Sequence, residues 1–102
     1  MTNDIKPILK RLNIEDTGHY DNHFYVIPLT DSNEYAKIYT KLDSAAINTE
    51  YPSYELNSSK TLIKETHYFE LEESNVIYNI FLIADYGKDI YYVKIGEKPS
   101  AK

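Results

Sequence analysis

The sequence predicts an α+β domain, two short helices packed on an antiparallel β-sheet of about four to five strands. Two early segments carry apolar residues at helical spacing. The last third is alternating or continuously apolar and rich in β-formers, a meander of strands joined by short turns. The domain is expected to span residues 1–97, with Lys98 to Lys102 as a loose tail.

In the first helix, Ile5, Ile8, Leu9 and Leu12 fall at i, i+3, i+4 and i+7, with Lys6, Lys10 and Arg11 off the stripe. Pro7 falls in the first turn, where its missing N–H costs nothing. Asn13 to Asn22 is polar, broken at Thr17-Gly18, and reads as a loop. Phe24 to Leu29 reads as a strand, and Pro28 suggests a sheet edge. Asp31 followed by Glu34 resembles a capping box, and Tyr35, Ile38, Tyr39, Leu42 and Ala45 continue a helix from about Ser32 to Ala46. Periodicity dissolves between Ile47 and Ser59, around Pro52, into a loop with a short strand near Tyr54 to Leu56. Thr61 to Glu72 alternates, placing Ile63, His67, Phe69 and Leu71 inward and Lys64, Thr66, Tyr68, Glu70 and Glu72 outward. Val76 to Ala84 is apolar enough for a central strand covered on both faces. Tyr86-Gly87-Lys88-Asp89 then turns into a last strand, Ile90 to Ile95.

The chain has 102 residues, with 16 Asp plus Glu against 11 Lys plus Arg, a net charge of −5. With 42% hydrophobic residues it has material for a core and is not a candidate for disorder. No Cys is present, which excludes disulfide staples, thiolate zinc sites and a cysteine nucleophile, and fits a reducing compartment. No apolar run approaches the roughly 18 residues of a membrane helix, and Met1-Thr2-Asn3-Asp4 does not resemble a signal peptide. A soluble cytoplasmic protein with no membrane partner is expected.

Charge placement is more telling than net charge. Leu12 to Ala36 holds Glu15, Asp16, Asp21, Asp31 and Glu34 with no Lys or Arg. Between Lys64 and Lys88 stand Glu65, Glu70, Glu72, Glu73 and Asp85, again without a cation. Segregated charge keeps a one-signed field that steers a partner of opposite sign. Glu70 and Glu72, on one strand face about 6.6 Å apart, are spaced like successive phosphates of a nucleic-acid strand. No Lys/Arg stripe points to direct nucleic-acid binding. Eleven Tyr against three Phe and no Trp favour an interface, since tyrosine joins a rigid apolar ring to a hydroxyl. Tyr68, outward beside Glu70 and Glu72, is the foremost candidate.

Catalytic signals are weak. His19 and His23 have a spacing that suits a metal only on a helix, and no third ligand is apparent, so no metal is expected. There is no Gly-x-Ser-x-Gly elbow, no Gly-x-Gly-x-x-Gly and no Walker loop. The expectation is a non-enzymatic protein without cofactor.

The order of elements and acidic balance, together with Glu73-Ser74-Asn75-Val76-Ile77-Tyr78 and Ile80-Phe81-Leu82, resemble the protein inhibitors of uracil-DNA glycosylase from bacteriophages and staphylococcal-type mobile elements. The resemblance implies a DNA mimic that fills the DNA cleft of a host enzyme with an edge strand, flanking carboxylates and an apolar pocket. The chain departs from that family at the first strand, where Asp21-Asn22-His23-Phe24-Tyr25-Val26 replaces a Glu-Ser-Ile run. From charge and position, the expected contacts are Asp21, Asp31, Glu34, Glu70, Glu72 and Tyr68. Val26, Ile27, Tyr35 and Ile38 would supply apolar capture. The alternative is an immunity or adaptor module, or an anti-restriction or anti-CRISPR inhibitor, binding a protein through a tyrosine-rich surface.

Overall fold

The computed structural model describes residues 5–97. The expected loose tail, Lys98 to Lys102, lies outside the described residues. The chain runs α1 (Lys6–Leu12), β1 (His19–Asp21), β2 (Phe24–Leu29), α2 (Ser32–Ala45), β3 (Asn48–Thr49), β4 (Ser53–Leu56), β5 (Leu62–Glu73), β6 (Val76–Asp85) and β7 (Ile90–Glu97). This corrects the expected architecture. The α+β fold carries one seven-stranded antiparallel sheet, not four to five strands. The additional strands are short and polar, β1 inside the expected loop and β3 where no pattern shows, so neither builds a hydrophobic alternation that sequence reading can detect.

α1 stops and α2 starts on local chemistry. Asn13 ends α1 in the left-handed conformation (φ 57°), and the Ile14 N–H returns to the Leu9 carbonyl at 3.0 Å. At α2, the Asp31 carboxylate accepts from the Glu34 N–H at 2.9 Å, while Glu34 accepts from the Thr30 N–H and hydroxyl at 2.7 and 3.0 Å. One free N–H of the first turn, that of Glu34, is thereby satisfied, and the chain entering the helix is tied to Glu34.

The sheet order is β1-β2-β7-β6-β5-β3, with β4 also on β5. β2 is therefore not an edge. Pro28 is tolerated because β1 pairs only residues 24–26, which leaves the proline's segment paired to β7 alone. The β5–β6 hairpin closes through Ser74 and Asn75, both at positive φ (55° and 66°), the two-residue geometry whose twist matches paired strands. In the β6–β7 turn the left-handed residue is Asp89 (φ 57°), not Gly87, and Asp85 accepts from the Lys88 N–H at 3.0 Å.

The helices cover one face. Ile8, Leu9 and Leu12 of α1 and Ile38 and Leu42 of α2 pack with Ile27, Phe69, Leu71, Ile80, Leu82, Val93 and Ile95. β6 lies inside the sheet, but among the described residues no helix covers its second face; Phe81 and Asn79 there are half-buried and Ile83 is buried. That open face carries, by register, Glu70, Asn79, Phe24, Tyr68, Phe81, Lys94 and Val26. Phe24 lies directly over Gly96, where a Cβ would come within 2.7 Å of its ring.

Candidate protein interface

Read by register, β3 and β4 form one edge lane along β5. From Thr49↔Phe69 to Ser53↔Thr66 the edge advances four residues while β5 moves back three, so one extra residue is accommodated at 50–52. An extra residue bends the strand and re-aims a side chain. Here it throws out Tyr51, which is 98% exposed. Pro52 supplies no N–H to the lane, and a second register shift follows at Glu55/Leu56. Residues 47–56 also expose Ile47 (55%), Tyr54 (60%) and Leu56 (54%). Four of the seven large apolar side chains exposed among the described residues thus belong to this one edge.

Around Tyr51 the edge is acidic. Asn48 pairs with Glu70, Glu50 adjoins the bulge, and both Glu50 and Glu70 act electrostatically on Tyr68. The Tyr68 hydroxyl donates to Glu70 and meets the Asn79 side-chain oxygen, each at 2.8 Å, and its ring packs on Phe81 at 4.9 Å. Burial, then the bond to Glu70, pushes the Tyr68 hydroxyl above the usual tyrosine range.

On the helix face the edge adjoins a second aromatic group. Glu65, opposite Tyr54, accepts from the Tyr86 hydroxyl at 2.8 Å through Oε1 and lies 2.6 Å from His67 Nε2 through Oε2. Tyr39 packs edge-on against His67 and Phe69, and Tyr35 and Tyr86 each pack against Tyr91. The Tyr35 hydroxyl is buried without a partner, and burial followed by the Glu65 charge drives its ionisation upward. Burial and the bond to Glu65 push Tyr86 up to about 12. With both carboxylate oxygens engaged, Glu65 anchors His67 and Tyr86 as a packed joint beside the exposed edge.

The structure separates most residues expected to act together. Glu70 and Glu72 share the open face, but Glu70 is only 8% exposed and bonded to Tyr68, whereas Glu72 is exposed. Asp21 is exposed on the same face at the far side, next to Phe24. Asp31 and Glu34 are occupied in capping α2. Ile27 (1% exposed) and Ile38 (3%) are closed in the core, Tyr35 lies half-buried on α2 against Tyr91, and Val26 faces the opposite way on the open face. Strand alternation is the reason: Val26 and Ile27 are successive residues and cannot share a pocket.

The two acidic zones do not gather either. Glu65 and Glu73 lie on the helix face, while Glu70, Glu72 and Asp85 lie on the open one. Glu73 is paired with Arg11 at 2.8 Å, and Asp16 accepts from the Tyr25 hydroxyl. The residues missed from sequence are Ile47, Tyr51, Tyr54 and Leu56. Their signal was apolar and aromatic side chains persisting in a stretch with no period to bury them.

Among the described residues, no group of three His, Cys, Asp or Glu could hold a metal ion, and no helix is long and apolar enough to cross a membrane. Compared with known proteins, the chain matches no family model, and no curated protein or solved structure is significantly similar to it. What the fold itself defines is a class: an α+β protein with a seven-stranded antiparallel sheet, helices on one face and an interrupted, aromatic edge.

Proposed function

We propose that the chain is a non-enzymatic protein-binding module that takes its partner on the β3–β4 edge. The observation that carries this reading is the bulge that holds Tyr51 fully in solvent beside Glu50, with Ile47, Tyr54 and Leu56 exposed along the same lane. Large apolar side chains exposed there gain on burial against a partner, and the neighbouring carboxylates select a partner with a basic surface. Pro52 and the two register shifts block a continuous added strand, so recognition runs through side chains rather than backbone pairing. The cysteine-free composition fits a reducing compartment, which in this reading is the cytoplasm of a bacterial host. To test it, a photo-crosslinking aromatic residue is placed at Tyr51 and, as control, at His23 in the opposite β1–β2 turn. The reading expects a discrete cross-linked partner from position 51 alone; equal products from both positions would contradict it.

A narrower reading makes the partner a DNA-binding host enzyme such as uracil-DNA glycosylase, with the edge imitating DNA. It is favoured by the exposed Glu50 and Glu72 on the β5 side of the sheet. The division of the remaining carboxylates between both sheet faces weighs against it. Uracil excision in the presence of excess protein decides this: inhibition relieved by added DNA supports imitation, and undiminished excision removes this target.

A further inference from the structure

We infer that the open face of the sheet carries a binding groove for a small, nucleotide-sized polyanion. The inference is independent of the edge interface. A concavity of about 410 Å³ crosses β2, β7, β6 and β5 on the face without helices, within the size range of small-molecule sites. Three of the chain's cations line it: Lys64 from β5, Lys94 from β7 and Lys88 from the β6–β7 turn, with His19 at the β1 side. None of these lysines forms an ion pair among the described residues. They are nevertheless positioned. Lys94 extends over the Phe24 ring, 5.1 Å from its centroid, and the Lys88 backbone is tied to Asp85 at 3.0 Å.

Lys64 and Lys94 lie two strands and four residues apart, a Cα separation of about 16 Å from strand spacing. Between them are Tyr92 and, at the groove's lower end, Ile90, an apolar floor under a cationic rim. Lysines on the rim with an aromatic and aliphatic floor suit a ligand that joins an anionic chain to a flat or apolar body. Asp21 and Asp85, also in the groove, can accept from hydroxyl or amino groups of that body.

Charge restricts the ligand's size. The chain is −5 overall; Glu55 stands opposite Lys64 beside the groove, and Glu72 is exposed farther along the same face. A nucleic-acid strand leaving the groove would cross these carboxylates, whereas a nucleotide stays among the lysines.

The experiment follows backbone amide shifts of the full chain during titration with ATP, inorganic triphosphate and a single-stranded oligonucleotide. Saturable shifts with ATP are expected at Lys64, Lys88, Tyr92 and Lys94, with ATP binding tighter than triphosphate and weakening as salt rises. Lys64→Glu with Lys94→Glu should lower the ATP affinity at least tenfold. Lys88→Glu, at an exposed turn position whose only described bond is made by its backbone N–H, should weaken it severalfold and serves if the double variant fails to fold. Absence of shifts up to millimolar ATP, triphosphate binding as tight as ATP, tighter binding of the oligonucleotide, or indifference to the lysine changes would each overturn the proposal.

Discussion

Replacing Tyr51 and Tyr54 together by serine separates a binding edge from a structural one, because the two roles predict different stabilities. Tyr51 is 98% exposed and has almost no burial to lose. Tyr54 is 60% exposed, so 100 − 60 = 40% of it is covered. Full burial of a tyrosine removes about 200 Å² from water. The covered part is then about 80 Å², at most about 2 kcal/mol at roughly 25 cal/mol per Å². The polar hydroxyl and a compact unfolded state reduce this to about 1 kcal/mol. Leu82→Ala is the internal reference: Leu82 is fully buried, and a leucine cavity costs about 2–5 kcal/mol. Guanidinium unfolding followed by circular dichroism should place the double serine variant within about 1 kcal/mol of the parent and Leu82→Ala well below it. A double variant as unstable as Leu82→Ala would show that these tyrosines hold the fold, and the interface argument would fail.

Other consequences of the structure are accessible in the same way. Arg11→Ala removes the tie from α1 to Glu73 (2.8 Å) and the Glu72 carbonyl (3.2 Å); since both side chains are partly exposed, the loss should be about 0.5–1 kcal/mol and shrink in high salt, as unfolding at two ionic strengths would reveal. Gly96→Val drives a Cβ to 2.7 Å from the Phe24 ring and should destabilise by about 1–3 kcal/mol, with part of the loss recovered on adding Phe24→Ala. Tyr25, Tyr35, Tyr68 and Tyr86 all ionise above their usual value of 10.0 when folded. The unfolded chain therefore gives up protons first, so this stability is complete below pH 10 and is lost as pH rises through about 12, the value reached by Tyr86. Unfolding free energy measured across that window should fall steadily, and less steeply in Tyr86→Phe; a flat profile would contradict the burial assigned to these hydroxyls.

The strong elements were legible where one physical signal dominated. The α1 stripe, the Asp31 cap of α2 and the long β5–β6–β7 meander each announce themselves by period or by capping chemistry. β1 and β3 did not, because they have three and two residues and bury nothing, and their existence depends on a partner strand distant in sequence. The outward placing of Tyr68 and Glu70 followed from alternation, but their burial depends on Asn79 and Phe81 across the ladder, which one strand read alone cannot supply. Likewise the bulge at 50–52 is a mismatch between two strands and has no signature in either. Linear charge segregation proved a poor guide to surface charge: adjacent glutamates such as Glu72 and Glu73 point to opposite faces, and one of them meets Arg11 from α1.

The most direct measurement is affinity capture from bacterial lysate with the intact chain and with Tyr51→Ser/Tyr54→Ser side by side, quantified by mass spectrometry. The account predicts a stoichiometric protein with a basic surface, retained by the parent and lost from the equally folded variant. Identical profiles from both chains would contradict it.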